Sequence, residues 1–217
     1  MAVPPYIDPS QITGVVLAGG LGTRMGGLDK GLQLLNGICL AEHALRRLQL
    51  QVGHCCISAN RHLEDYARFG VPVLPDTAPD FPGPLAGLLS ALQHCETSYL
   101  AVVPCDVPFF PDTLVAKLSQ ALVDSGASAA VAVAMQADAE GAQAADECDG
   151  IPVWRRQPTL CLVRSDLRTT LEQFMAHGGR KAGAWLTAIG AVSVRFEDGA
   201  KAFANVNTAQ QLQTLRS

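Results

Sequence analysis

The chain has 217 residues, 48% of them hydrophobic, with a formal net charge of -4 and a pI near 5.7. That length and apolar content suit one α/β unit with a substantial core. The acidic balance excludes a broad basic footprint for nucleic acid and leaves a small anionic ligand in a local cationic pocket as the expected partner. No run of about 18 uninterrupted apolar residues occurs, so no membrane span is expected. Residues 1–11 carry two adjacent prolines and no apolar run of signal-peptide length, and read as an N-terminal extension to a domain over 12–217. Seven cysteines, at 39, 55, 56, 95, 105, 148 and 161, form no C-x-x-C pair and leave one unpaired in any disulfide scheme, which points to reduced cytoplasmic thiols.

Residues 12–18 are apolar apart from Thr13 and Gly14, the pattern of a strand buried on both faces. The stretch from Leu17 to Lys30 then packs five glycines and two cations, Arg24 and Lys30, into one turn. Glycines let backbone amides approach an anion closely, so this turn reads as a phosphate cradle. It is neither of two familiar loops: the dinucleotide fingerprint needs glycine where Met25 stands, and the P-loop needs glycine where Asp29 precedes Lys30.

The spacing of Leu40, Ala44, Leu45, Leu48 and Leu50 predicts a helix, and residues 54–59 a second buried strand, where Cys55 and Cys56 fit better as core than as metal ligands. Residues 71–74 suit a third strand, 85–93 a helix after a Pro-Gly-Pro turn, and 99–103 a fourth strand. Pro111 suits the first turn of the next helix. A strand over 128–134 precedes residues 136–150, rich in Ala, Asp, Glu and Gly, which read as a mobile loop. An apolar run at 159–163, a helix near 167–175, a strand at 192–196 and a helix from about Thr208 follow. The alternation implies a mostly parallel, doubly wound α/β sheet with helices on both faces.

Ligands of such sheets bind beyond the carboxyl ends of the strands. Those ends are Leu17-Ala18-Gly19-Gly20, Ser58-Ala59-Asn60-Arg61, Asp76 and Pro104-Cys105-Asp106. Asp106, held between two prolines, suits a Mg²⁺ ligand or a turn aspartate capping the next helix; the residues leave both readings open. Asn205 and Asn207 would share a face of an extended segment, or serve a turn before the Thr208 helix. Arg180-Lys181 suits a positive rim or a solvated helix end. None of the five histidines has a metal or catalytic spacing.

Leu-Ala-Gly-Gly, then Arg24-Met25-Gly26-Gly27 and Asp29-Lys30-Gly31-Leu32, resembles the signature loop of nucleotidyltransferases, and in this detail the molybdenum cofactor guanylyltransferase family. The likeness continues through Ser58-Ala59-Asn60-Arg61, Pro82-Gly83-Pro84-Leu85-Ala86-Gly87, Pro104-Cys105-Asp106-Val107-Pro108 and Phe203-Ala204-Asn205-Val206-Asn207-Thr208. The resemblance implies a Rossmann-like fold and transfer of GMP from GTP to the phosphate of molybdenum-molybdopterin, releasing pyrophosphate. It implies Mg²⁺, with Mn²⁺ as substitute, on Asp106. Arg24, Lys30 and Asp106 would be catalytic, and Leu17, Ala18, Gly19, Gly20, Lys30, Asp76 and Asp106 would bind nucleotide. Asn205 and Asn207 would meet the acceptor. Ser58 departs from the asparagine common in that family. Cofactor-delivery proteins are further implied partners. The alternatives are a cytidylyltransferase on the same cofactor, a sugar-1-phosphate nucleotidyltransferase and, in another class, a noncatalytic nucleotide sensor.

Overall fold

The protein is represented by a computed structural model that describes residues 6–19, 29–76, 83–136, 153–198 and 202–206. Within them the strands are β1 (Ile12–Leu17), β2 (Leu34–Leu35), β3 (Ile38–Cys39), β4 (His54–Ser58), β5 (Val73–Leu74), β6 (Tyr99–Pro104), β7 (Ala129–Gln136), β8 (Val153–Arg164) and β9 (Val192–Phe196). The helices are α1 (Leu40–Gln49), α2 (Leu63–Ala67), α3 (Pro84–Gln93), α4 (Leu114–Ser125), α5 (Arg168–Ala176) and α6 (Ala182–Ala188).

Seven strands form one sheet in the order β5-β4-β1-β6-β8-β7-β9. β5, β4, β1 and β6 are mutually parallel, as are β7 and β9; β8 runs antiparallel to both its neighbours. Adjacent apolar residues of the central strands pack on opposite faces. Val16, Ala101 and Val103 join the core under α1 and α4, while Val15, Leu100 and Val102 join the core under α3, α5 and α6. Burial on both sides is why these strands read as continuous apolar runs. Gly14 in β1 has a packing reason: a Cβ there would sit 2.6 Å from Leu48 Cδ2, so its absence lets α1 lie close on the strand.

The observed elements match the expected ones at β1, α1, β4, β6, α5 and β9 to within about two residues, the usual uncertainty of an element end. Three differences have physical causes. Pro111 lies outside α4, which starts at Leu114 with Thr113 as N-cap; the Pro111 carbonyl instead accepts a turn hydrogen bond from Leu114 N–H at 3.0 Å. The β2–β3 hairpin turns at Asn36 and Gly37, both at positive φ (53° and 81°), the chemistry a tight two-residue hairpin requires. α6 was not expected; its Trp185 and Leu186 pack under β8 in the second core. Gln136 closes β7, and residues 137–150 of the expected loop, like the expected helix from Thr208, lie outside the described residues.

Candidate active site

The four parallel strands β5, β4, β1 and β6 end on one edge, and a cleft of about 420 Å³ opens there. Leu17, Ala18 and Gly19 enter it from β1, Ser58 from β4, Asp76 from just beyond β5, and Cys105 and Asp106 from β6. Lys30 and Asn205 line it as well. Thus seven expected site residues (Leu17, Ala18, Gly19, Lys30, Asp76, Asp106 and Asn205) share one cavity although they are scattered from position 17 to 205. Gly20, Arg24 and Asn207 lie outside the described residues.

Backbone bonds beyond the ladder seat the strand ends. Ala18 N–H donates to the Ser58 carbonyl at 2.8 Å and Cys105 N–H to the Leu17 carbonyl at 3.0 Å, which aligns β4, β1 and β6 at the rim. Val206 N–H donates to the Asp106 carbonyl at 2.8 Å and brings Asn205 alongside. Facing them, Gly83, Pro84 and Gly87 of the α3 start form a second wall. A Cβ on Gly87 would lie 2.4 Å from Ser58 Oγ and 3.0 Å from Leu17 Cδ2, so glycine is what lets α3 approach the strand ends.

Lys30 reaches across the cleft floor, its Nζ donating to Asp106 Oδ2 at 2.7 Å. The segment carrying Lys30 is anchored underneath by Asp29, whose buried carboxylate accepts Tyr66 O–H at 2.5 Å and Gly31 N–H at 3.1 Å. Burial, and then the bond to Asp29, drive the Tyr66 phenol far above its ordinary pKa, so it stays a donor at any physiological pH. Tyr66 lies 37 positions from Asp29, on a short helix, and no spacing rule in the sequence points to it.

Asp76 is held by a side chain rather than by the sheet. Asn60 Oδ1 accepts Asp76 N–H at 2.8 Å while its Nδ2 donates to Asp76 Oδ2 at 2.7 Å; Ser58 Oγ donates to Oδ1 at a long 3.5 Å.

Sequence reasoning missed the wall that β8 gives the cleft. Val131 pairs with Cys161 and Ala132 with Gln157, so the residues between Gln157 and Cys161 are pushed out of the β7–β8 ladder as a bulge. Gln157, Pro158 and Thr159 line the cleft from there. A register shift of this kind leaves no mark in hydrophobic periodicity.

Two chemical options fall away. Burial, reinforced by the adjacent Asp106 charge, pushes the Cys105 thiol well up, so it is no thiolate nucleophile. Arg180 is drawn off to structural work, its Nη1 donating to the carbonyls of Met175 and Gly179 at the end of α5. These bonds support the helix-end reading of Arg180. What remains is two carboxylates, Asp76 and Asp106, one ammonium, Lys30, and neutral polar groups at the tip of a parallel sheet. Among the described residues no three of His, Cys, Asp and Glu converge on a metal position. A single carboxylate such as Asp106 suits Mg²⁺, which takes one or two protein carboxylates and fills its remaining positions with phosphate oxygens and water.

Comparison with known proteins gives the chain's family. A molybdenum cofactor guanylyltransferase of Ralstonia nicotianae is 48% identical over 209 residues, covering 96% of this chain and 98% of that one. One from Methylibium petroleiphilum is 49% identical over 211 residues, covering 97% and 98%. Among solved structures, the molybdopterin-guanine dinucleotide biosynthesis protein A of Archaeoglobus fulgidus superposes with a TM-score of 0.69 at 20% identity, covering 94% of this chain and 96% of that one. A 4-diphosphocytidyl-2C-methyl-D-erythritol synthase of Anaerococcus prevotii reaches 0.70 at 13% identity, covering 97% and 96%, a likeness of fold. Residues 14–213 match the family model of the MobA-like NTP transferase domain, and the chain belongs to that family.

Proposed function

We propose that this nucleotidyltransferase moves GMP from GTP onto the terminal phosphate of molybdenum-molybdopterin and releases pyrophosphate. The observation that carries the reading is the meeting of Lys30 and Asp106, 2.7 Å apart, in a cleft that Leu17, Ala18 and Gly19 also line. Relatives near 48% identity over almost the full chain, each named for guanylyl transfer to this cofactor, support the substrates.

The acceptor phosphate oxygen attacks the α-phosphorus, one P–O bond forms, and the bond to the bridging oxygen breaks as pyrophosphate leaves. The nucleophile is already ionised near neutral pH, so no general base is required. Positioning and charge neutralisation do the work. In this reading Gly19, Gly20 and the amides after them hold phosphate oxygens, while Arg24 and Lys30 stabilise the transition state and the leaving group. Asp106 would hold Mg²⁺, which supplies charge neutralisation on the nucleotide phosphates. Leu17, Ala18 and Asp76 form the base end of the cleft. Guanine offers two adjacent donors, N1–H and the 2-amino group, for which a carboxylate is a matched acceptor. Asn205 and Asn207 belong to the acceptor side.

A cytoplasmic setting completes the reading. The described cysteines (39, 55, 56, 95, 105 and 161) are free thiols, as a reducing compartment keeps them. Among the described residues no helix is long and apolar enough to cross a membrane. Delivery of the product to molybdenum enzymes would involve partner proteins.

The test is turnover of GTP and of CTP with purified molybdenum-bearing molybdopterin, scored by pyrophosphate release with and without Mg²⁺. GTP turnover dependent on the acceptor and the metal is expected. Preference for CTP, or turnover only with a sugar 1-phosphate, overturns the guanylyl assignment; GTP binding without turnover leaves a sensor.

A further inference from the structure

We infer that Asn60 is the positioning residue that sets base selectivity, by fixing the rotamer of Asp76. The inference rests on the reading of Asp76 as the guanine acceptor.

The parallel ladder between β4 and β5 is short, pairing Ile57 with Val73 and Ser58 with Leu74, and its last rung is Ala59 N–H to the Leu74 carbonyl at 3.1 Å. Beyond that rung the Asn60 carboxamide continues the pairing. Its oxygen takes the backbone N–H of Asp76 and its nitrogen takes the carboxylate of the same residue. Only one orientation of the amide satisfies both, since the backbone offers a donor and the carboxylate an acceptor. Two bonds to one residue, one on its main chain and one on its side chain, leave the carboxylate no free rotation. A surface aspartate at the end of a two-residue strand would otherwise sample several rotamers.

The amide is also braced from its other side. A Cβ on Gly19 would stand 3.1 Å from Asn60 Nδ2, so the carboxamide lies against the bare backbone of the glycine turn. Asn60 thus ties three strand ends together: the turn after β1, the end of β4 and the tip of β5. Ser58, the neighbour that also reaches Asp76, does so only at 3.5 Å and cannot replace the two shorter bonds. Asn60 does not itself line the cleft, which places its influence on the base through Asp76.

Guanosine and inosine triphosphates separate this role from general support, because inosine keeps N1–H and lacks the 2-amino group. In Asn60→Ala the KM for GTP should rise about tenfold with kcat retained, the size expected for one charge-assisted hydrogen bond. The KM for ITP should rise by no more than about threefold, so selectivity for GTP over ITP falls. Asn60→Asp should lose more than Asn60→Ala, because it sets a second carboxylate against Asp76. Asp76→Ala is the companion variant and should abolish the selectivity. If Asp76→Ala abolishes it while Asn60→Ala leaves it intact, the clamp is wrong and the base reading stands. If Asp76→Ala leaves the selectivity untouched, the base reading itself falls and the clamp with it. A fall in kcat, or a rise in KM, shared equally by both nucleotides in Asn60→Ala shows a merely structural asparagine and overturns the inference.

Discussion

Asp106 is held at two points, its carboxylate by the Lys30 ammonium and its carbonyl by the Val206 amide. Both side chains of the ion pair keep contact with solvent, so the pair contributes under about 1 kcal/mol to folding. Its value lies in placement. Asp106→Ala is therefore expected to reduce kcat by about 10²–10³-fold, the scale of losing one preorganised electrostatic contact. Its melting temperature should stay within a few degrees of the parent, checked by scanning calorimetry beside the pyrophosphate assay. Single residues are also where sequence reading went furthest. Lys30, Asp76, Asp106 and Asn205 carry functional groups in short distinctive strings, and the structure collects them in one cleft. Tyr66 escaped, and Asn60 was read only as part of a strand end, because their value lies in partners 37 and 16 positions away, Asp29 and Asp76, and a linear string does not encode such pairings.

At the scale of elements, α2 works as a peg beneath the loop that carries Lys30. Its Tyr66 hydroxyl donates to the buried Asp29 carboxylate, as does Gly31 N–H. Tyr66→Phe leaves that carboxylate under-satisfied, and a loss of about 1–3 kcal/mol in urea unfolding is expected. The transferase rate should fall along with it, because Lys30 is then less firmly aimed. The start of α3 makes a second such contact. Gly87→Ala drives a methyl into Ser58 Oγ and Leu17 Cδ2, so α3 must retreat and the KM for GTP should rise. Adding Ser58→Ala removes the hydroxyl and should recover part of the loss in the same assay. Elements buried on both faces were legible as unbroken apolar runs, β1, β4 and β6 above all. The hairpin β2–β3 has strands of two residues, too short for any period, although its Asn36-Gly37 turn is a signal in itself. α6 is seven residues long and contains Gly183, which weakens a helical pattern. β8 runs antiparallel to both its neighbours, and side-chain pattern carries no information on strand polarity.

Across the whole molecule, the thiols couple stability to alkaline pH. Burial pushes Cys55, Cys56 and Cys161 up to about 12 in the folded protein. In the unfolded chain they ionise near the ordinary value of about 8.5, so the native state retains protons that the unfolded state gives up. Their contribution is complete below that pH and is lost as pH climbs toward the folded values. Urea midpoints should hold level between about pH 7 and 8 and decline from about pH 9 upward, with a shallower decline when Cys55 and Cys56 are both replaced by alanine.

The tether from Val206 to Asp106 has a consequence for biosynthesis. A ribosome completes the four parallel strands and the helices α1 and α3 long before it delivers the bulged wall of β8, and later still the amide that seats the acidic tip. A nascent polypeptide halted short of residue 206 therefore owns the cleft without the amide that seats Asp106. Messages truncated near their end should yield material that persists in the cell yet turns over nothing.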